Sequence, residues 1–140
     1  MDLNAAMDWA AGRHSGVLIT IRGDGRPQSS DISYAVADGV VRISVTADRA
    51  KTRNLERDQR AVLHVTAPDE WAYVSFDGSV DLSPVAATPG DAVCQELGQL
   101  VVAVQGKEHP NWDEFNEAMV NDRRLVIRFT PGSATGRVPS

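Results

Sequence analysis

Residues 17–46, Val17-Leu18-Ile19-Thr20-Ile21-Arg22-Gly23-Asp24-Gly25-Arg26-Pro27-Gln28-Ser29-Ser30-Asp31-Ile32-Ser33-Tyr34-Ala35-Val36-Ala37-Asp38-Gly39-Val40-Val41-Arg42-Ile43-Ser44-Val45-Thr46, read as three strands and two tight turns. Val17, Ile19 and Ile21 alternate with Leu18, Thr20 and Arg22, and Val41, Ile43 and Val45 alternate with Arg42, Ser44 and Thr46. That two-residue period is the mark of a strand with unlike faces. Gly23-Asp24-Gly25 and Asp38-Gly39 supply residues that tolerate positive φ, as hairpin turns require. Gln28 to Val36 is then the middle strand of a meander.

Outward from this core the period changes and changes back. Asp2 is placed to cap a helix carrying Leu3, Ala6, Met7 and Ala10, with Gly12 at its end. Ala47 to Asp58 has the long polar side chains of a short exposed helix. Arg60 to Ala67 and Trp71 to Leu82 are strands joined by Pro68-Asp69-Glu70, and Gly78 marks a bulge or bend. After a linker from Ser83 to Gly90, Val93, Leu97, Leu100, Val101 and Val104 line one face of a helix, and Trp112, Phe115 and Met119 line another. Arg124 to Thr130 is the last strand, followed by a tail expected on the surface or on a partner. Six strands joined mostly by tight turns favour antiparallel pairing, so residues 1–140 read as one α+β domain around a small six-stranded barrel with peripheral helices.

The 140 residues are 42% hydrophobic and 24% charged, which suits a folded domain and not a disordered chain. Fourteen basic against nineteen acidic residues leave a net charge of −5, which argues against nucleic acid or an anionic membrane as partner and confines any anion site to a local cluster. The lone Cys94 can make neither an internal disulfide nor a cysteine zinc cluster. With no apolar run of membrane-spanning length and no basic, apolar leader at the N-terminus, the expected compartment is the cytoplasm. His14, His64 and His109 have no ligand spacing, so no metal is expected. His64, between Leu63 and Val65, reads as a hydrogen-bonded core or interface histidine, and Cys94 as a buried thiol. The serines lack a matching His and acid, and no phosphate-binding glycine loop is present.

The densest chemical signal is Asp48-Arg49-Ala50-Lys51-Thr52-Arg53-Asn54, where a strand passes into a helix. Its three cations at alternate positions could converge on a phosphate or carboxylate near a helix N-terminus, or form a solvated charged face. The residues alone leave both readings open.

Three segments also carry a resemblance: Gly25-Arg26-Pro27-Gln28-Ser29-Ser30; the run from Arg49 to Ala61 that begins Arg-Ala-Lys-Thr-Arg-Asn-Leu; and Asn111-Trp112 with Ala118 to Arg124. In this order they resemble the pyridoxamine 5′-phosphate oxidase-like split β-barrel superfamily, and within it the actinobacterial coenzyme F420-dependent reductases of the flavin/deazaflavin oxidoreductase B branch. The resemblance implies an FMN-binding-type split barrel, a homodimer with cofactor clefts at its interface, and hydride transfer from reduced F420 to an unsaturated acceptor such as an enone, quinone or tetrapyrrole. It implies that Arg49, Lys51 and Arg53 hold the cofactor phosphate and that Ser44 and Thr46 line the deazaflavin ring. Gln28 and Asp31 would face the same cleft, and Trp71 and the Trp112–Arg124 region would shape the dimer or the cleft mouth. Tyr34 is a candidate proton donor. FMN as cofactor of an oxidase-like enzyme and a non-catalytic cofactor-storage role are the alternative readings.

Overall fold

A computed structural model describes residues 1–139. In chain order the elements are α1 (Leu3–Ala11), β1 (Ser15–Ile21), β2 (Pro27–Ser33), β3 (Ala35–Ala37), β4 (Val40–Thr46), α2 (Ala50–Arg57) and β5 (Arg60–Ala67). A 3₁₀ turn (Pro68–Glu70) leads to β6 (Ala72–Leu82), α3 (Ala92–Gln105), α4 (Trp112–Asn121) and β7 (Arg124–Arg137). The strands form one antiparallel sheet in the order β2-β1-β5-β6-β7-β4-β3.

The described residues contain seven strands where the sequence suggests six, because the expected middle strand is broken at Tyr34. Its first part pairs with β1 and its second with β4, at opposite edges of the sheet. Since β2 and β3 are one residue apart, those edges must come together, and the sheet curls into a half-barrel around Tyr34. The Tyr34 backbone N–H donates to the His14 carbonyl (2.9 Å), and its hydroxyl donates to the Ala10 carbonyl on α1 (2.8 Å). The residue is fully buried, so these bonds replace the water it has lost.

Two apolar clusters follow from the alternation. Leu18, Ile43, Val45, Leu63, Val65, Phe76, Ile127 and Phe129 fill the inside of the curl. Val126, between Leu125 and Ile127, points the other way and is covered by Val93, Cys94 and Leu97 of α3 and Phe115 of α4. Here β7 is buried on both faces, as its continuous Leu-Val-Ile run requires.

Gly78 sits at an irregularity, as expected. The β6–β7 register shifts between Asp77 and Gly78, skipping Gly132. A side chain on Gly78 would meet the Thr130 carbonyl and the Phe129 ring. Beyond the shift β7 continues pairing with β6 to Arg137, so the last strand runs on past Thr130 through most of the tail expected on the surface or on a partner. Of that tail, Ser140 lies outside the described residues. The α2 helix is also less exposed than its composition suggests. Thr52, Asn54 and Leu55 are buried, and Asn54 Nδ2 donates to Thr20 Oγ1 (3.0 Å) and Gln28 Oε1 (2.8 Å).

Candidate functional site

Alternation along β4 puts Val41, Ile43 and Val45 inside and leaves Arg42, Ser44 and Thr46 on the outer face. Their β7 partners, Arg128, Val126 and Arg124, share that face, and α3 and α4 pack over it. Between helices and sheet lies a cavity of about 550 Å³. One wall is apolar: Leu97, Leu100, Val101 and Val104 from α3, with Phe115 and Met119 from α4. The opposite end carries Ser44, Thr46, Arg49, Lys51 and Arg124.

The cationic end is built by local chain geometry. Arg49 is the N-cap of α2 and Lys51 lies in its first turn, while the Ala47 N–H donates to the Arg123 carbonyl (2.9 Å) and brings the start of β7 alongside. Arg124 Nη1 donates to Ser44 Oγ (3.3 Å), and Arg124 Nε is buried with no hydrogen-bond partner. Burial, and then the charges of Arg49 and Arg124, hold the Lys51 ammonium below the ordinary lysine value. No ion pair among the described residues involves Arg49, Lys51 or Arg124. None of the three cations is ion-paired among the described residues, although Asp31 lines the same cavity and Asp48 lies close enough to Arg49 to feel its charge, and Arg124 leaves a buried N–H unsatisfied. Both features favour an anion arriving from outside the chain. The apolar wall beside them favours a ligand with a flat apolar body attached to that anion.

Five of the seven residues expected at the site line this cavity: Asp31, Ser44, Thr46, Arg49 and Lys51. Thr46 Oγ1 donates to Asp48 Oδ1 (2.6 Å), so its hydroxyl hydrogen is already committed. Gln28 and Arg53 are not in the lining. Gln28 accepts from Asn54 and so helps dock α2, and Arg53 lies on the exposed side of that helix. Tyr34 has no access to the cavity; burial pushes its hydroxyl up to about 12 and the proton is held by Ala10. His64 has the expected partner, Ser75 Oγ at 2.8 Å, and Cys94 is buried with its thiol pushed up by desolvation. Trp71 is 80% exposed, whereas the Trp112 ring packs on Gly98 and edge-on against Phe115. Among the described residues no group of three or more His, Cys, Asp or Glu side chains could hold a metal, and no helix is long and apolar enough to cross a membrane.

Arg124, Phe115 and Met119 fall in the Trp112–Arg124 region expected to shape the dimer or the cleft mouth, whereas the α3 wall was not assigned to the site. The apolar stripe of α3 was visible as a period, but its division between packing and cavity lining was not. The place of Arg124 beside Arg49 and Lys51 had no local signal, since only the β4–β7 register sets it opposite Thr46.

The family model described as "Pyridoxamine 5'-phosphate oxidase" matches residues 4–137. Among solved structures, the conserved hypothetical protein Rv2991 of Mycobacterium tuberculosis is 23% identical with a TM-score of 0.77, over 100% of this chain and 90% of its own. An F420 reductase is 26% identical with a TM-score of 0.67, over 91% of this chain and 94% of its own. HutZ, the heme storage protein of Vibrio cholerae, shares the fold at 14% identity and a TM-score of 0.63, over 96% of this chain and 94% of its own.

Proposed function

This chain belongs to the pyridoxamine 5′-phosphate oxidase family, and from that membership we propose that it is a flavin/deazaflavin-type oxidoreductase that uses coenzyme F420 to reduce an unsaturated organic acceptor. The observation that carries the reading is the cluster of Arg49, Lys51 and Arg124, none of them ion-paired among the described residues, at the end of an apolar-walled cavity. The likeness to an F420 reductase over most of both chains favours the deazaflavin over FMN.

When bound, the deazaflavin ring supplies the hydride. The chain's own residues hold and orient. Arg49, Lys51 and Arg124 would grip the phosphate of the cofactor, with the buried Arg124 Nε gaining the acceptor it lacks. Ser44 offers a hydroxyl beside them, and Leu100, Val101, Val104 and Phe115 would cover one face of the ring and exclude water.

A homodimer is part of the same proposal. Val17, Ile19 and Val62 lie on the outer face of β1 and β5 and are only half-buried, and Trp71 and Tyr73 stand exposed nearby in sequence on β6 and its lead-in. Asp31, Ile32 and Ser33 line both the cavity and the groove over Val17 and His64, so a second copy seated on this face would border the cofactor.

Titration of the ligand-free protein with coenzyme F420 and, under identical conditions, with FMN tests the reading. Coenzyme F420 should bind more tightly and change its fluorescence, and Lys51→Ala should weaken binding about tenfold or more, the loss expected for one charge-assisted contact. Unchanged affinity after removal of both Lys51 and Arg49 would place the cofactor elsewhere. Tighter binding of FMN would reassign the cofactor and leave the site standing.

A further inference from the structure

The outer face of β4 and β7 carries cations at both ends of the α3 cover. Thr46 pairs with Arg124 at one end and Arg42 with Arg128 at the other, with Ser44 and Val126 between them. At the Arg42–Arg128 end the chain supplies its own carboxylate. Glu96 Oε2 accepts from Arg42 Nε (2.9 Å) and Arg128 Nε (3.0 Å), and Glu96 Oε1 accepts from Arg128 Nη2 (2.7 Å). Asp81 takes Arg128 Nη1 (3.1 Å), and the Ala37 carbonyl takes Arg42 Nη1 (3.1 Å). The Glu96 side chain is 17% exposed, and its two arginines hold its carboxyl below the usual range. At the Arg124 end Asp48 accepts from Thr46 and Asp31 lines the cavity, but among the described residues no carboxylate is ion-paired with Arg49, Lys51 or Arg124.

We propose that Glu96 is a positioning residue that also sets specificity. Bridging the two arginines, and with Asp81 as the second carboxylate on Arg128, it neutralises this end and leaves Arg49, Lys51 and Arg124 as the seat for an anionic ligand on this face, and it fixes α3 at the height that closes the cavity. The assignment of that seat rests on the function proposed above.

Glu96 precedes Leu97, the first α3 residue in the cavity wall, and Leu100, one turn on, separates the main cavity from a small void of about 120 Å³ lined by Arg42 and Glu96. An anchor at Glu96 therefore acts on the wall through one helical turn. Arg42 and Arg128 sit directly opposite each other on neighbouring strands, where like charges repel. Arginine stays charged when its partner is lost. Without the carboxylate, either the helix lifts or an external anion enters between the two guanidiniums. Glu96 prevents both.

The test uses Glu96→Gln, which keeps the side-chain shape and removes the charge, with inorganic phosphate as the probe. By calorimetry the parent should bind one phosphate per chain, lost in Lys51→Ala. Glu96→Gln should bind a second phosphate that survives Lys51→Ala. In the ligand-free protein, amides of residues 97–105 should exchange about tenfold faster in Glu96→Gln while those of β5 and β6 are unchanged. A merely structural role would not create a new anion site. Glu96→Asp, which keeps the charge but shortens its reach, should loosen α3 without opening the second site, and it serves as the measure if Glu96→Gln does not fold. Parental stoichiometry together with parental α3 exchange in Glu96→Gln would overturn the proposal. If the parent binds no phosphate, the assigned seat fails, yet a phosphate site appearing only in Glu96→Gln would still uphold the role of Glu96.

Discussion

Lys51 illustrates how one side chain can be kept ready for a ligand at some cost to the folded state. Its ammonium is partly buried beside two guanidiniums, so its proton is held more weakly than in an unfolded chain. That sign means the protonated form costs stability below the folded value, and the cost is relieved as pH rises through it. A bound anion reverses the balance by favouring the charged form. Affinity for an anionic cofactor should therefore fall with rising pH before an ordinary lysine would titrate. Lys51→Arg, which stays charged, should hold its affinity through the same interval. A pH series of cofactor titrations on the two proteins checks this, and parallel curves would remove Lys51 from the anion seat.

Among the elements, α3 matters most, because it forms both the second apolar cluster and the cavity wall. Its N-terminus is fixed by Asp91, whose carboxylate accepts from the N–H groups of Cys94 (2.9 Å), Ala87 (3.0 Å) and Thr88 (3.1 Å). Those donors hold the Asp91 carboxyl far below the usual carboxylate range. Its stabilising effect is present above the unfolded value of 3.8 and is lost as pH falls below it. Asp91→Ala should lower stability by about 1 kcal/mol, as expected for loss of an N-cap, and should flatten the acid limb of the stability curve. Thermal unfolding at neutral and acid pH measures both. At its other end α3 stops at Gly106, in the left-handed region at φ 75°.

For the molecule as a whole, closure of the sheet depends on Tyr34, which joins its two edges and the α1 helix. The folded state holds the Tyr34 proton up to about 12 against an ordinary value of 10.0. This contribution is complete below pH 10 and is lost as pH rises toward 12. Tyr34→Phe removes the bond to Ala10 and should cost about 1 kcal/mol at neutral pH. It should also lose less stability than the parent between pH 10 and pH 12, which denaturant unfolding at several alkaline pH values will show. At the same scale, sedimentation of the parent should give twice the chain mass, and Val17→Asp, which puts a charge on the outer β1 face, should shift it toward the monomer. A monomeric parent would separate the fold from the proposed dimer.

The sequence by itself determined the element types, the alternation that divides inside from outside, the irregularity at Gly78 and the concentration of charge from Arg49 to Arg53. These are local properties, set by side-chain period, by turn residues and by which neighbours lie a few positions away. Only the tertiary structure decided that the strand expected from Gln28 to Val36 breaks at Tyr34, since the break serves the union of two edges that are distant in the sheet. It likewise turned Gln28 toward Asn54, left Arg53 outside, and brought Arg124 to Lys51 from more than seventy residues away. That last meeting depends on the register of β7 against β4, and a pairing register between distant strands is fixed by the packing of the whole core.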